Sequence, residues 1–240
     1  MADLEKSGNS FSRAWNYETG FPIYRVQAAA QCMNVLGLLG KLDHAAELAV
    51  DAINLLPTIS NRSLQRSGQQ YAVSYFSGLA ALACSTYLRL GLPEKALEIL
   101  ERGRTVILSQ LIGDRSDMSS LSEAYPEIAG HFQNLLDEIN APLPGQGDPL
   151  TIKHAQQRRR DCVAAFELCV QGIRNIPGYE RFLLGLTPAE MCACATEGPI
   201  VVVNVTTLGS HAMVVSSSEI KSIELPKLPA SDARRWLNRQ

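Results

Sequence analysis

Four histidines and six cysteines are the side chains of this 240-residue sequence best suited to chemistry. A histidine acts as a base or metal ligand only when a second group stands in register with it. His44, His131 and His154 fall on helical patterns with no paired ligand nearby. His211 is the most suggestive. It lies in "EGPIVVVNVTTLGSHAMVVSSSEI", residues 197–220, a run rich in β-branched residues. Alternation along a strand puts His211, Met213 and Val215 on one face and Ala212 and Val214 on the other. One strand cannot supply a nucleophile–base pair, so a strand-end histidine bonded to solvent or backbone is the expected role. Cys162 and Cys169 are seven apart, on one helix face, where small core residues sit. Cys192 and Cys194, in "MCAC", lack zinc-ligand spacing. There is no G-x-S-x-G elbow and no glycine-rich phosphate loop before a helix. The residues therefore predict no complete catalytic site, no metal and no cofactor, and the cysteines read as reduced thiols.

The elements that would position these groups are mostly helical. Hydrophobic residues make up 46% of the chain, charged residues 19%, and the formal net charge is −2. Those values suit a packed globular protein and offer no field that would draw nucleic acid or an anionic membrane. Arg158, Arg159 and Arg160 form the one dense basic run, read as a solvated helix face. No apolar run reaches the roughly 18–20 residues of a bilayer span, and no signal peptide is apparent, so the expected location is cytoplasmic. Residues 1–20 are polar and aperiodic and read as a loosely held arm, with Trp15 and Tyr17 docking on the first helix.

Residues 22–39 carry Val26, Ala29, Ala30, Met33 and Leu36 at helical spacing, and Gly40 ends the pattern. A second helix follows with Leu42, Ala45, Ala46, Ala49, Ala52, Ile53 and Leu56, stopped by Pro57. The grammar recurs in "FSGLAALACSTYLRLGLPEKALEILERGRTVI", with Gly91 at the turn and Pro93 opening the next helix. With Gly40 aligned on Gly91, Ala45 matches Ala96 and Ala52 matches Gly103, small residues that let antiparallel helices approach closely. At Gly40, Ala45, Ala52 and Pro57 the sequence resembles the tetratricopeptide repeat (TPR). The turn glycines are 51 residues apart, against about 34 in that family, and the first-helix aromatic is absent. Generic helix-hairpin packing is the alternative. Glu98–Arg102 and Glu101–Arg104 are helix-supporting charge pairs.

Further on, Ser116 or Asp117 caps a short helix, and Pro126 opens another through Ile128, Phe132, Leu135, Leu136 and Ile139. "APLPGQGDP", residues 141–149, is a linker, residues 151–175 a long helix, and Thr187–Pro188 starts a short one. The "LERGR" helix, the "RSD…L…PE" segment, the "PG-ERFL" turn and the "EGPIVVVNV" strand, in that order, resemble fungal TPR proteins with a C-terminal CHAT domain, a caspase-like module. The resemblance spans about residues 20–230. It implies that the strands from Pro199 to Leu225 open a CHAT domain whose catalytic His and Cys lie further downstream, beyond Gln240. Neither role transfers to a residue here, His211 included.

The expected fold is mainly α: a TPR-like antiparallel helical repeat, or α-solenoid, followed by a small antiparallel β-hairpin or meander. The expected segments are the arm at 1–20, degenerate TPR-like hairpins at 21–115, a helical connecting region at 116–196, and the opening strands of a truncated CHAT domain at 197–240. The expected function is a non-enzymatic protein-interaction scaffold that binds a protein or peptide on its inner helical face through Asn34, Tyr71 and Tyr75. The alternatives are a regulatory or pseudo-protease fragment active only with a missing half, and a purely structural scaffold. A small β-unit is marginal alone. Its edge therefore packs on the helices or is completed by another chain, a homo-oligomer through the β-edge included.

Overall fold

A computed structural model describes residues 2–59, 66–112, 117–142 and 149–237. Two helical hairpins build its first half. Helices α1 (Ala2–Trp15), α2 (Pro22–Leu38) and α3 (Leu42–Leu55) lead through a short 3-10 turn, Leu56–Thr58, to α4 (Arg66–Arg89) and α5 (Pro93–Ile112). The α2–α3 and α4–α5 turns are closed in the same way. Gly40 and Gly91 both have φ of +74°, the left-handed geometry that costs a side-chain-bearing residue most. The next amide reaches back to the last helical turn in each case, Lys41 N–H to Leu36 O and Leu92 N–H to Tyr87 O. The small residues at matching offsets are buried: Ala45, Ala52 and Ala96 have no exposed surface. A Cβ at Gly103 would fall 2.5 Å from that of Ala80, so the backbone of α5 rests there directly on the Ala80 methyl of α4.

The reading of residues 1–20 as a loose arm is replaced by a helix. Residues 2–15 form α1, which packs along α2. Its Gly8 is buried against Val35 on the side that meets α2. Trp15 does dock on α2. It lies under the Arg25 guanidinium, 4.9 Å from ring to cation, and its carbonyl accepts from Arg25 Nε at 3.0 Å. Tyr17 instead accepts from Gln156 Nε2 at 2.8 Å.

The connecting region has a core of its own. Helices α6 (Asp117–Ala124), α7 (Pro126–Asn140) and α8 (Pro149–Arg174) gather Leu121, Phe132, Leu135, Ile139, Phe166 and Phe182. Ser116 and residues 143–148 of the proline-glycine stretch lie outside the described residues. Arg159 corrects the reading of the basic triplet. Arg158 and Arg160 are exposed, but Arg159 is 3% exposed. Its Nε and Nη2 donate to the carbonyls of Ile139 (2.9 Å) and Ala141 (2.6 Å) at the end of α7, and its Nη1 to Thr19 O (3.3 Å). The guanidinium also stacks 3.9 Å from the Phe21 ring. A cation is the natural cap for carbonyls left open at a helix C-terminus.

Helix α9 (Pro188–Ala193) starts as its sequence predicts. Thr187 Oγ1 accepts from Glu190 N–H, and Glu190 reaches back to Thr187 N–H, a capping box. Strands β1 (Ile200–Thr206), β2 (Gly209–Val215) and β3 (Ile220–Glu224) then form an antiparallel meander of order β1-β2-β3, and α10 (Ala230–Leu237) follows against β1. The protein is thus mainly helical, with a small C-terminal antiparallel sheet.

Candidate functional site

The sheet lies on the helices with β1 and β2 over α4 and β3 over α5. Met213, Val215 and Ile220 on its inner face are buried in the main core. Burying each contributes about 1.5–3 kcal/mol. Cys84 of α4 meets Met213, sulfur to sulfur, at 3.9 Å. Burial pushes the Cys84 thiol up to about 12, so it behaves as a small apolar group rather than a nucleophile.

A polar seam locks β1 in place. Asn204, 4% exposed, donates from Nδ2 to Ala81 O and to Ser85 Oγ, both at 2.9 Å. Ser85 Oγ and Thr206 Oγ1 share a hydrogen bond of 2.7 Å. At the hairpin tip, Thr207 Oγ1 donates to Asn34 Oδ1 of α2 at 2.8 Å. Leu208 fills the space that a side chain at Gly37 would need, and Arg89 Nη1 donates to Gly37 O at 2.8 Å. A buried amide with satisfied partners fixes register more sharply than another valine would. Asn204 was legible as the one polar residue at an inward position of "IVVVNV", yet its partners on α4 were not.

Alongside this seam runs an open groove of about 350 Å³. Ala30, Gln31 and Asn34 of α2 and Tyr75, Gly78 and Leu82 of α4 form its floor, and Val205, Thr206 and Thr207 its wall. Among the described residues, none that lines it is charged. Two predicted partner-binding residues meet here: Asn34 and Tyr75 line the same groove, and Gln31 Nε2 donates to the Tyr75 hydroxyl at 3.4 Å. The side chain of the third, Tyr71, lies outside the described residues. A Cβ added at Gly78 would meet nothing within 4 Å, so this part of the floor is unobstructed.

His211 shares the inner face with Met213 and Val215, as alternation requires, and its cross-strand neighbours are Asn204 and Glu224. Its Nδ1 is buried and makes no hydrogen bond among the described residues. Burial lowers its pKa, Glu224 opposes that, and Arg89 adds to it. His44, His131 and His154 are exposed. Among the described residues no three His, Cys, Asp or Glu side chains gather as a metal site, and no helix is long and apolar enough to cross a membrane. All six cysteines are free thiols.

No protein-family model matches the chain, and no curated protein or solved structure matches it.

Proposed function

We propose that this protein is a non-enzymatic interaction module, a TPR-like helical scaffold with a CHAT-like β-element, that binds a polypeptide partner in the groove between α2, α4 and β1. The observation that carries this reading is the convergence of Asn34 and Tyr75, far apart in sequence, on one uncharged groove. Their amide and hydroxyl groups suit a partner read by hydrogen bonds to its backbone rather than by charge. The first helices of the two hairpins supply the floor, the surface a TPR-like scaffold would offer. A groove-filling substitution tests the reading. Gly78→Phe places a ring where a Cβ meets open space, so folding is retained while the groove is blocked. Peptides selected from a randomised display library on the wild-type protein should bind it and lose at least about tenfold in affinity on Gly78→Phe. Failure to select any peptide, or equal binding to the variant, would overturn the assignment.

A further inference from the structure

The register of the sheet determines which backbone groups of β1 are spoken for. Leu225 N–H donates to Ser210 O, so Ser210, and with it Ala212 and Val214, turns its backbone groups towards β3. His211, Met213 and Val215 therefore bond to β1, through their partners Asn204, Val202 and Ile200. The N–H and C=O groups of Val201, Val203 and Val205 point away from the sheet. Among the described residues, no hydrogen bond outside the β1–β2 ladder engages them. The side chains of Val201 and Val203 are 57% and 51% exposed. Strand β1, "IVVVNVT", also lacks the lysine, proline or bulge with which exposed edges are usually guarded, and α10, which packs against β1, makes no backbone hydrogen bond to it among the described residues.

The groove meets this edge at its C-terminal end, at Val205 and Thr206, and Val201 and Val203 continue the edge beyond its lining. Its wall is the end of β1, and its floor is the α2–α4 surface beyond it. We infer that the groove takes its partner as a fourth strand: an extended, uncharged peptide segment that pairs with the outward backbone groups of Val201, Val203 and Val205. Alternate side chains of that segment lie over Ala30, Gly78 and Leu82, within reach of the Gln31, Asn34 and Tyr75 polar groups. This inference rests on the functional reading above and specifies its partner. The groups left open on β1 require a strand, and the uncharged lining excludes charge at the inward positions. A second copy of this chain fits less well. Two β1 edges paired about a two-fold axis normal to the sheet would put the partner's helices on the same side, in the space α2 already occupies.

Val203→Pro tests it, since proline removes an outward donor without breaking a bond to β2. The probe is a panel of uncharged octapeptides in which valine or isoleucine alternates with serine, threonine or asparagine, followed by fluorescence anisotropy. Binding should occur, fall about tenfold or more on Val203→Pro, and persist with Val203→Thr, which keeps the donor. Hydrogen exchange on the wild-type protein gives a readout that survives any folding defect of the proline variant: the Val201, Val203 and Val205 amides should slow on peptide binding. Binding lost on Gly78→Phe but unchanged on Val203→Pro, with no edge-amide protection, would overturn strand addition and leave the groove assignment standing. No binding by any panel member would also overturn it. Concentration-dependent dimerisation in sedimentation, abolished by Val203→Pro, would assign the edge to a second copy instead.

Discussion

Replacing Arg159 by methionine should cost this protein much of its stability. The substitution keeps the length and apolar stem of the side chain and removes the guanidinium. Two short hydrogen bonds to the carbonyls of Ile139 and Ala141 are lost, with a longer one to Thr19 and the stack on Phe21. A hydrogen bond from a charged donor contributes about 1.5–3 kcal/mol, and a partly desolvated cation–π contact about 1–2 kcal/mol. The weaker Thr19 bond and the return of water to the outermost carbonyl reduce the sum, so the expected loss is about 3–5 kcal/mol. For a chain of this size each kcal/mol moves Tm by about 2–4 °C, so Tm should fall by roughly 6–20 °C. Arg159→Lys keeps the charge but loses the planar fork, and should fall between the two. The assay is urea unfolding followed by circular dichroism, with thermal melts in parallel. A loss below about 1 kcal/mol for Arg159→Met at unchanged m-value would refute the argument that this cation closes the end of α7.

Three further outcomes follow from the same geometry. His211 has a lowered pKa in the folded state, so the unfolded chain binds more protons below the ordinary histidine value of about 6.5. Stability should be full above that pH and decline as pH falls through it, and His211→Gln should flatten that part of a pH–stability curve. Iodoacetamide on the native protein should label exposed Cys194 first, while Cys84, pushed up to about 12, and Cys162, pushed up to about 11, react only after unfolding; mass spectrometry of timed samples checks the order. Gly91→Ala forces a Cβ into a left-handed turn and should destabilise by about 1 kcal/mol, whereas Gly78→Ala, on an exposed helix position, should stabilise by a similar amount.

What the sequence disclosed was periodic or punctuated. The turn glycines, the small residues five and twelve positions after them, and the Thr187 cap follow from local rules, and the structure has all of them. What it hid was pairing across distance. Helix α1 was missed because the residue it buries is a glycine, Gly8, and burial against Val35 needs a neighbour the sequence does not name. Arg159 was missed because three consecutive arginines look alike until a helix end appears beside one of them. Asn34 and Tyr75, expected on the inner helical face, do line one groove. The contributions of Gln31 and Thr207 to that groove, and of Ser85 to the seam beside it, became visible only with the hairpin docked on α2 and α4.

The docked hairpin also links stability to recognition. A small sheet needs a buried apolar face to be stable in water, and here α4 and α5 cover that face. The same helices that stabilise the sheet leave β1 with one side satisfied and the other open. Asn204, Ser85 and Thr206 fix the strand so firmly that an incoming segment would find its donors and acceptors already spaced for pairing. Little ordering cost would remain on the protein's side, which favours affinity for a flexible peptide. Loosening the seam, as Asn204→Ala would by removing the two amide hydrogen bonds that tie β1 to Ala81 O and Ser85 Oγ, should therefore weaken peptide binding through the scaffold, even though Asn204 faces the helices and not the groove. That separates the two roles of β1: Asn204 acts on the partner only through strand order, whereas the outward amides of Val201, Val203 and Val205 act on it directly.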